Sequence, residues 1–587
     1  MGFHPVSQDG ARRMVGRRSV SRRRFLYQTV GLAAAASLLA ACNQPGPTSV
    51  AEPPKPTAAP PPPTTAPAAA AKPAEAKPAE AAKPAEAKPA EAKPAAAAPT
   101  QAAPASKPAD TLLNFAKPGK VRTKDPQRFY GLNEFVLHRN VFEPLVDIDQ
   151  KGKLYGVLAE SWTPSADGKV WTIKLRQGVK FHDGTPFDAE SVKATVARAK
   201  DNDKSGFKFV FKDFEDEPVR IVDKNTVELR TKIPIAPLLN NIVVLYMVPP
   251  KAGDNRDMTY EDAVGTGPYR LTDFNIDQQY VMEANADYWQ RGLPKIGKVI
   301  YRPILEQSSL VAALRAGQAD LIEGISQENA ATIKNDPNFK FIASELWQTD
   351  FLTVNGEGNP NLAKPGVRRA FNYGLDREVI ARDILSGDGK PLASYPPRGI
   401  LGYTEKAPIK TNPYNVEQAK KELAEAGLSG GLEAELKVPN GQFTKGKEIA
   451  EYVVQELGKI GIKLTLNLQE PIPALESFTA GQYEVGYGGS IAVTGDPDRY
   501  LQERIVGDLY HTKFGDEEAK NAIRQAATVV DPAKRQELYE QAAVRIWEAP
   551  PFIYLHQINW NYAARSKVKS FTWAANRIFS FVDTELA

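Results

Sequence analysis

The 587-residue chain holds one cysteine, Cys42, so no disulfide can form within it. Its stability has to come from an apolar core rather than from cross-links. Histidine is scarce too: His4, His138, His182, His511 and His556 are all there are, and none forms a metal-ligand pair at helix spacing. There is no Walker loop, and Gly265-Thr266-Gly267 runs into Pro268, which cannot open a phosphate-binding helix. His182 sits in a turn and reads as structural. No nucleophile, base and metal set stands out, so no catalytic residue, metal or cofactor is expected.

Excess positive charge is missing as well. The net charge is +4, but residues 1–41 hold seven arginines and one aspartate, and without them it falls to −2. That balance excludes a nucleic-acid partner, which needs a basic surface. A strong membrane span is also absent at the start of the chain. Val30 to Ala41 is short and alanine-rich, whereas a span needs about 20 apolar residues.

What the N-terminus does have is an ordered series: basic residues, an apolar stretch, then small residues. That order is an export signal. Arg22 and Arg23, before Phe25-Leu26, resemble a twin-arginine signal. Leu39-Ala40-Ala41-Cys42 resembles a lipobox, which implies cleavage before Cys42 and lipidation of its sulfur. Two acyl chains suffice for a stable anchor, since each buried CH₂ contributes about 0.8 kcal/mol. The expectation is an extracytoplasmic protein tethered to the cell membrane. Residues 42–110 then read as a spacer. They contain Pro60 to Pro63 and Lys-Pro-Ala-Glu units at Lys72, Lys77, Lys83 and Lys88, with no aromatic residue. Such a segment cannot offset its ordering entropy.

From Thr111 onward the composition is globular, and the length calls for two or three compact units. Asp167-Gly168 precedes Trp171, Ile173 and Leu175 in alternation, a hairpin with one buried face. Asp188 before Val192 and Val196 predicts an N-capped helix. Ser308 to Ala316 predicts a helix closed by Gly317, with a strand from Leu321-Ile322. Leu432 to Val438, Lys447 to Ile460 and Ile462 to Leu466 predict strand, helix and strand, the unit of an α/β lobe. A final helix spans Asp531 to Trp547. Asp496 with Pro497 reads as an N-cap followed by proline at the first helical position.

Several passages together resemble the family 5 extracellular solute-binding proteins of ABC importers. They are Leu158-Ala159-Glu160-Ser161-Trp162 through Gly184-Thr185-Pro186-Phe187, Val264-Gly265-Thr266-Gly267-Pro268-Tyr269 and Ala286-Asp287-Tyr288-Trp289. Val367-Arg368-Arg369-Ala370-Phe371-Asn372-Tyr373 with Asp376-Arg377, and Gly495-Asp496-Pro497-Asp498, complete the order. The resemblance implies an α/β, two-lobed periplasmic-binding-protein type II fold of cluster C, with an inserted domain and a hinge between the lobes. Lobe one would use residues 111–152, 263–346 and 555–587, the insert 153–262, and lobe two 347–554. The crossings would fall near Gln348-Thr349 and Phe552-Ile553.

The same resemblance implies a monomer that captures a peptide or other small molecule by hinge closure and delivers it to an ABC permease. Its ligand-facing candidates are Tyr130, Asn133 and Glu134 in the first lobe, Trp347 by the first crossing, Arg398, and the stretch holding Tyr487, Gly489, Ser490 and Val493. In peptide-binding relatives an aspartate at the Val493 position pairs the α-ammonium, and Ser490 stands at a tryptophan position. Either another acid, Glu134 or Asp350, takes that role, or the ligand is a non-peptide such as an oligosaccharide, an opine or a metal chelate. A ligand sensor for a membrane receptor is the remaining alternative.

Overall fold

The computed structural model describes residues 111–253, 262–406 and 408–587, all within one compact unit. The export signal with Arg22 and Arg23, the lipidation site Cys42 and the spacer lie outside the described residues.

Alternating apolar side chains form the strands where the sequence places them. Val170–Leu175 buries Trp171, Ile173 and Leu175, and pairs with Ala159–Pro164 and Thr226–Thr231. With Phe214–Asp223 these make a four-stranded antiparallel sheet. The helix Ala189–Asp201 packs on that sheet, capped by the Asp188 carboxylate, which accepts from the Glu190 N–H. Leu432–Pro439 and Ile462–Gln469 pair in parallel, joined by the helix Gly446–Gly458, whose Ile449, Val453 and Leu457 are buried.

Among the described residues the main sheet has eleven strands, one of them the short Gly389–Pro391 paired only with Phe552–Arg565, and two long strands belong to both halves. Phe339–Val354 and Phe552–Arg565 lie antiparallel. Phe339 to Glu345 pair with Arg565 to Asn559; the register then breaks and resumes with Thr349 opposite Gln557. On one side of the break the sheet continues through Leu321–Ile325, Leu112–Lys117, Lys298–Pro303, Gln279–Ala284 and Tyr269–Asn275. On the other it continues through Val485–Ile491, Leu432–Pro439 and Ile462–Gln469. Two α/β halves are thus joined by two strands whose pairing breaks twice, between Glu345 and Thr349 and again between Asp350 and Phe351, irregularities at which a strand pair bends. Phe552 and Ile553 pair with Thr353 and Leu352, and on the second strand the two breaks lie at Gln557 to Asn559 and at Tyr554 to His556.

The period of two divides each half into two cores. Phe351 and Phe552 face one core of the second half, while Leu352 and Ile553 face the other. The sequence passages shared with the solute-binding proteins hold this frame together. Gly265 and Gly267 press on the Val141 backbone, where an added Cβ would come within 2.0 and 2.7 Å. Thr266, Tyr288 and Trp289 all donate to buried Glu143, at 3.0, 2.7 and 3.0 Å. Arg377 is buried and donates to Tyr554 O and Asn372 O, tying its turn to the second long strand. His182 is likewise structural: its Nδ1 accepts from the Gly265 N–H and its Nε2 faces Gly267 O at 3.0 Å. Among the described residues no helix is long and apolar enough to cross a membrane.

Candidate functional site

Between the halves lies a cavity of about 370 Å³. Tyr130, Leu132 and Phe135 form one wall, at and just before the start of the helix Leu132–Val141. The opposite wall is the end of the strand Val485–Ile491 and the loop after it, then Arg499, Tyr500 and Arg504. That loop is pinned from several directions. The Ala492 N–H donates to Trp347 O at 2.8 Å, Asn576 Nδ2 to Val493 O at 2.9 Å, and Asn240 Nδ2 to Thr494 O at 3.0 Å.

Of the residues singled out from the sequence, Tyr130, Gly489, Ser490 and Val493 line this cavity. The other five do not, each for a visible reason. Asn133 lies against Gly119, whose added Cβ would come within 2.3 Å of its amide. Glu134 is buried and accepts from Arg122 Nε at 2.7 Å. Burial raises its carboxyl, but the Arg122 guanidinium and backbone amides outweigh that and hold it below the usual range. Trp347 is buried at the strand break, walled by Gly152, Gly399 and Gly495. Arg398 fixes its own loop, donating to Pro391 O at 3.0 Å and Glu405 at 3.2 Å. Tyr487 is fully buried and donates to Asp350 Oδ2 at 3.2 Å.

Asp350 sits behind Gly489, where an added Cβ would lie 2.8 Å from its Oδ1. It has no exposure, and burial pushes its carboxyl up to about 7. Neither Asp350 nor Glu134 reaches the cavity. The acids that do are Asp496 and Glu503. Asp496 is clamped by Arg535, with Nη1 to Oδ2 at 2.7 Å and Nη2 to Oδ1 at 2.9 Å, the fork geometry that neutralises a carboxylate most fully. Its Oδ1 also accepts from the Asp498 N–H, so it caps the turn as expected, although the helix Asp498–Leu501 begins one residue later, with Pro497 as N-cap.

Glu503 accepts from Arg499 Nε at 3.0 Å and lies 3.8 Å from Arg504 Nη1. Arg504 rests on the rings of Tyr500 and Tyr510, and its buried Nε has no hydrogen-bond partner among the described residues. Tyr395 stacks on Tyr500 at 3.8 Å between centroids and closes the floor. Sequence reasoning passed over Tyr395, Arg499, Tyr500 and Arg504. The one available signal was the run of charge at Arg499, Glu503 and Arg504 directly after Gly495-Asp496-Pro497-Asp498. With Asp496 neutralised from behind, this wall carries two guanidiniums, Arg499 and Arg504, against one carboxylate, Glu503. No group of histidine, cysteine, aspartate and glutamate among the described residues is arranged to hold a metal ion.

Two α/β halves, two crossing strands and a lined cavity between them are the architecture of a two-lobed solute-binding protein. The bacterial extracellular solute-binding proteins, family 5 (middle region), match over residues 153–504, and the chain belongs to that family. It is similar to the glutathione-binding protein GsiB of Shigella boydii, 30% identical over 480 residues, covering 79% of this chain and 92% of that protein. Among solved structures it resembles HbpA2 from Haemophilus parasuis, with TM-score 0.71 and 25% identity, covering 81% of this chain and 100% of that one. It also resembles AgaA from A. tumefaciens R10 in complex with agropinic acid, with TM-score 0.68 and 25% identity, covering 81% and 99%. The chain is therefore a type II, family 5 substrate-binding protein of an ABC transporter.

Proposed function

We propose that this protein captures a small peptide or peptide-like solute carrying more carboxylate than ammonium charge, with glutathione as the type ligand. The charge balance of the cavity carries this reading. Arg504 lines the cavity and its buried Nε has no hydrogen-bond partner among the described residues, while the acids at the cavity are already held by arginines. A carboxylate on the ligand would complete Arg504 in a charge-assisted hydrogen bond. An ammonium would have to compete with Arg535 or Arg499 for an acid. Val493, where peptide-binding relatives carry an aspartate, adds no negative charge. The relatives named for glutathione and agropinic acid lend the reading support.

The capture step would be closure of the two halves about the bulged strand pair, with ligand contacts made on both walls. Moving a population from 1:99 to 99:1 takes about 5.5 kcal/mol of differential affinity. Lobe one would comprise residues 111–152 and 263–346 with the C-terminal segment, the insert 153–262, and lobe two the remainder up to the second crossing. A lipid on Cys42, reached through an export signal with Arg22 and Arg23, would hold the monomer near its permease, and residues 42–110 would supply reach.

The test is mass spectrometry of small molecules released on denaturing the purified chain. Anionic peptides in the extract support the reading. A cationic peptide, an uncharged sugar or a metal chelate in their place contradicts it.

A further inference from the structure

A second cavity, of about 600 Å³, adjoins the first, and the two share Tyr130, Thr494, Arg499 and Glu503 in their walls. Arg499 is the partition. Its guanidinium lies over the Tyr130 ring at 4.7 Å and the Phe209 ring at 3.9 Å, and its Nε is held only by Glu503, one turn along. Beyond it the character of the walls changes. Val210, Ile233, Ile235 and Ala527 turn apolar surface into the second chamber, which Lys212, Asp213 and Arg524 also line, and Ile233 is left 48% exposed. Exposed apolar side chains gathered around a concavity mark a binding surface.

We propose that this chamber is a subsite for an apolar substituent on the same ligand, and that Arg499 determines whether such a substituent is admitted. The head-group half of this inference rests on the reading of the first cavity as an anionic-peptide site. The occupant follows from continuity: a ligand seated against Arg504 lies in a cavity whose common wall with the second chamber is Arg499 together with Tyr130, Thr494 and Glu503. Arg499 is about one-third exposed, and its i,i+4 ion pair contributes little when solvated, so its hold on the partition comes mainly from the Tyr130 and Phe209 rings.

The experiment compares glutathione with S-hexylglutathione, which has the same head and an added six-carbon chain, by calorimetric titration of the full chain in lipid nanodiscs. Wild type and Ala527→Trp are compared, the indole filling the chamber; Thr528→Trp, at its exposed rim, is a second filler should the first fold poorly. In parallel, 1-anilinonaphthalene-8-sulfonate fluorescence, corrected for empty discs, reports on the chamber without the peptide head. The hexyl chain should tighten binding at least about tenfold in the wild type. The filled variants should lose that gain, keep glutathione binding unchanged and expel the naphthalene probe. Equal affinity of the two peptides in the wild type, or a gain that persists in the filled variants, overturns the subsite. If neither peptide binds while the filled variants still expel the probe, the chamber stands and the anionic-peptide reading falls. If neither binds and the probe does not distinguish the variants, both fall.

Discussion

Asp350 Oδ2 lies 3.6 Å from His556 Nε2, across the two strands that join the halves, and neither side chain has any exposure. Burial pushes the carboxyl up to about 7 and the imidazole down to about 3. Tyr487 and Gln348 donate to the carboxylate, while both ring nitrogens lack a hydrogen-bond partner among the described residues. The pair sits between the two register breaks of the strands that join the halves.

The pair predicts a pH response with a definite sign. Unfolded, an aspartate titrates at about 3.9 and a histidine at about 6.5. Between those values the unfolded pair carries one proton on the histidine, and the folded pair also carries one, on the carboxyl. Linkage then gives no net slope from them in this window. Asp350→Asn leaves the histidine alone, and stability should fall as pH falls from about 6.5 towards about 3, because the unfolded chain takes up a proton that the folded chain refuses. His556→Gln leaves the raised carboxyl, and stability should fall as pH rises from about 4 to about 7. Each unmatched proton is worth about 1.4 kcal/mol per pH unit. Urea unfolding across that range, with slopes compared against wild type, checks it. Unchanged slopes in both variants would contradict the assignment.

Arg535→Met should destabilise the protein by about 3–5 kcal/mol, since it strands the Asp496 carboxylate in a largely buried position. Arg535→Met combined with Asp496→Asn should recover much of the loss, because no lone charge remains. Denaturant midpoints of the two proteins decide the matter; a double variant no more stable than the single one would remove the charge argument.

Val493→Asp should weaken glutathione binding at least about tenfold, because it places a carboxylate without an arginine partner against an anionic ligand. Val493→Asn, similar in size and uncharged, should lose much less. Calorimetric titration separates the two. Tighter binding by Val493→Asp would mean that the cavity receives an ammonium, and the charge reading would be wrong.

The frame was legible from the sequence because its signals are local and repetitive. Alternation gave the strands Val170–Leu175 and Leu432–Pro439, and a carboxylate before an apolar stripe gave the helix Ala189–Asp201. The passages shared with the family also read well, and the structure shows why they say nothing of the ligand. Thr266, Tyr288 and Trp289 are occupied with Glu143, and Arg377 with backbone carbonyls. The cavity was less legible. Tyr487 and Gly489 share the strand face turned to Phe443 and Asp350, so the tyrosine is spent on the core and only the glycine backbone reaches the cavity. Glu134 and Arg398 looked available because their partners, Arg122 and Glu405, meet them only once the chain is folded. Arg499 and Arg504 lie on a short helix and the irregular turn after it, where no periodic pattern marks a buried face.

The central claim is that the cavity recognises a ligand by its carboxylates. The most direct measurement is the affinity of the wild-type full chain for glutathione against its diethyl ester, by calorimetric titration at neutral pH. The ester keeps the ammonium and the backbone but neutralises both carboxylates. The free acid should bind at least about tenfold more tightly, as expected when a charged hydrogen bond to an arginine is lost. An ester that binds equally or better would contradict the account.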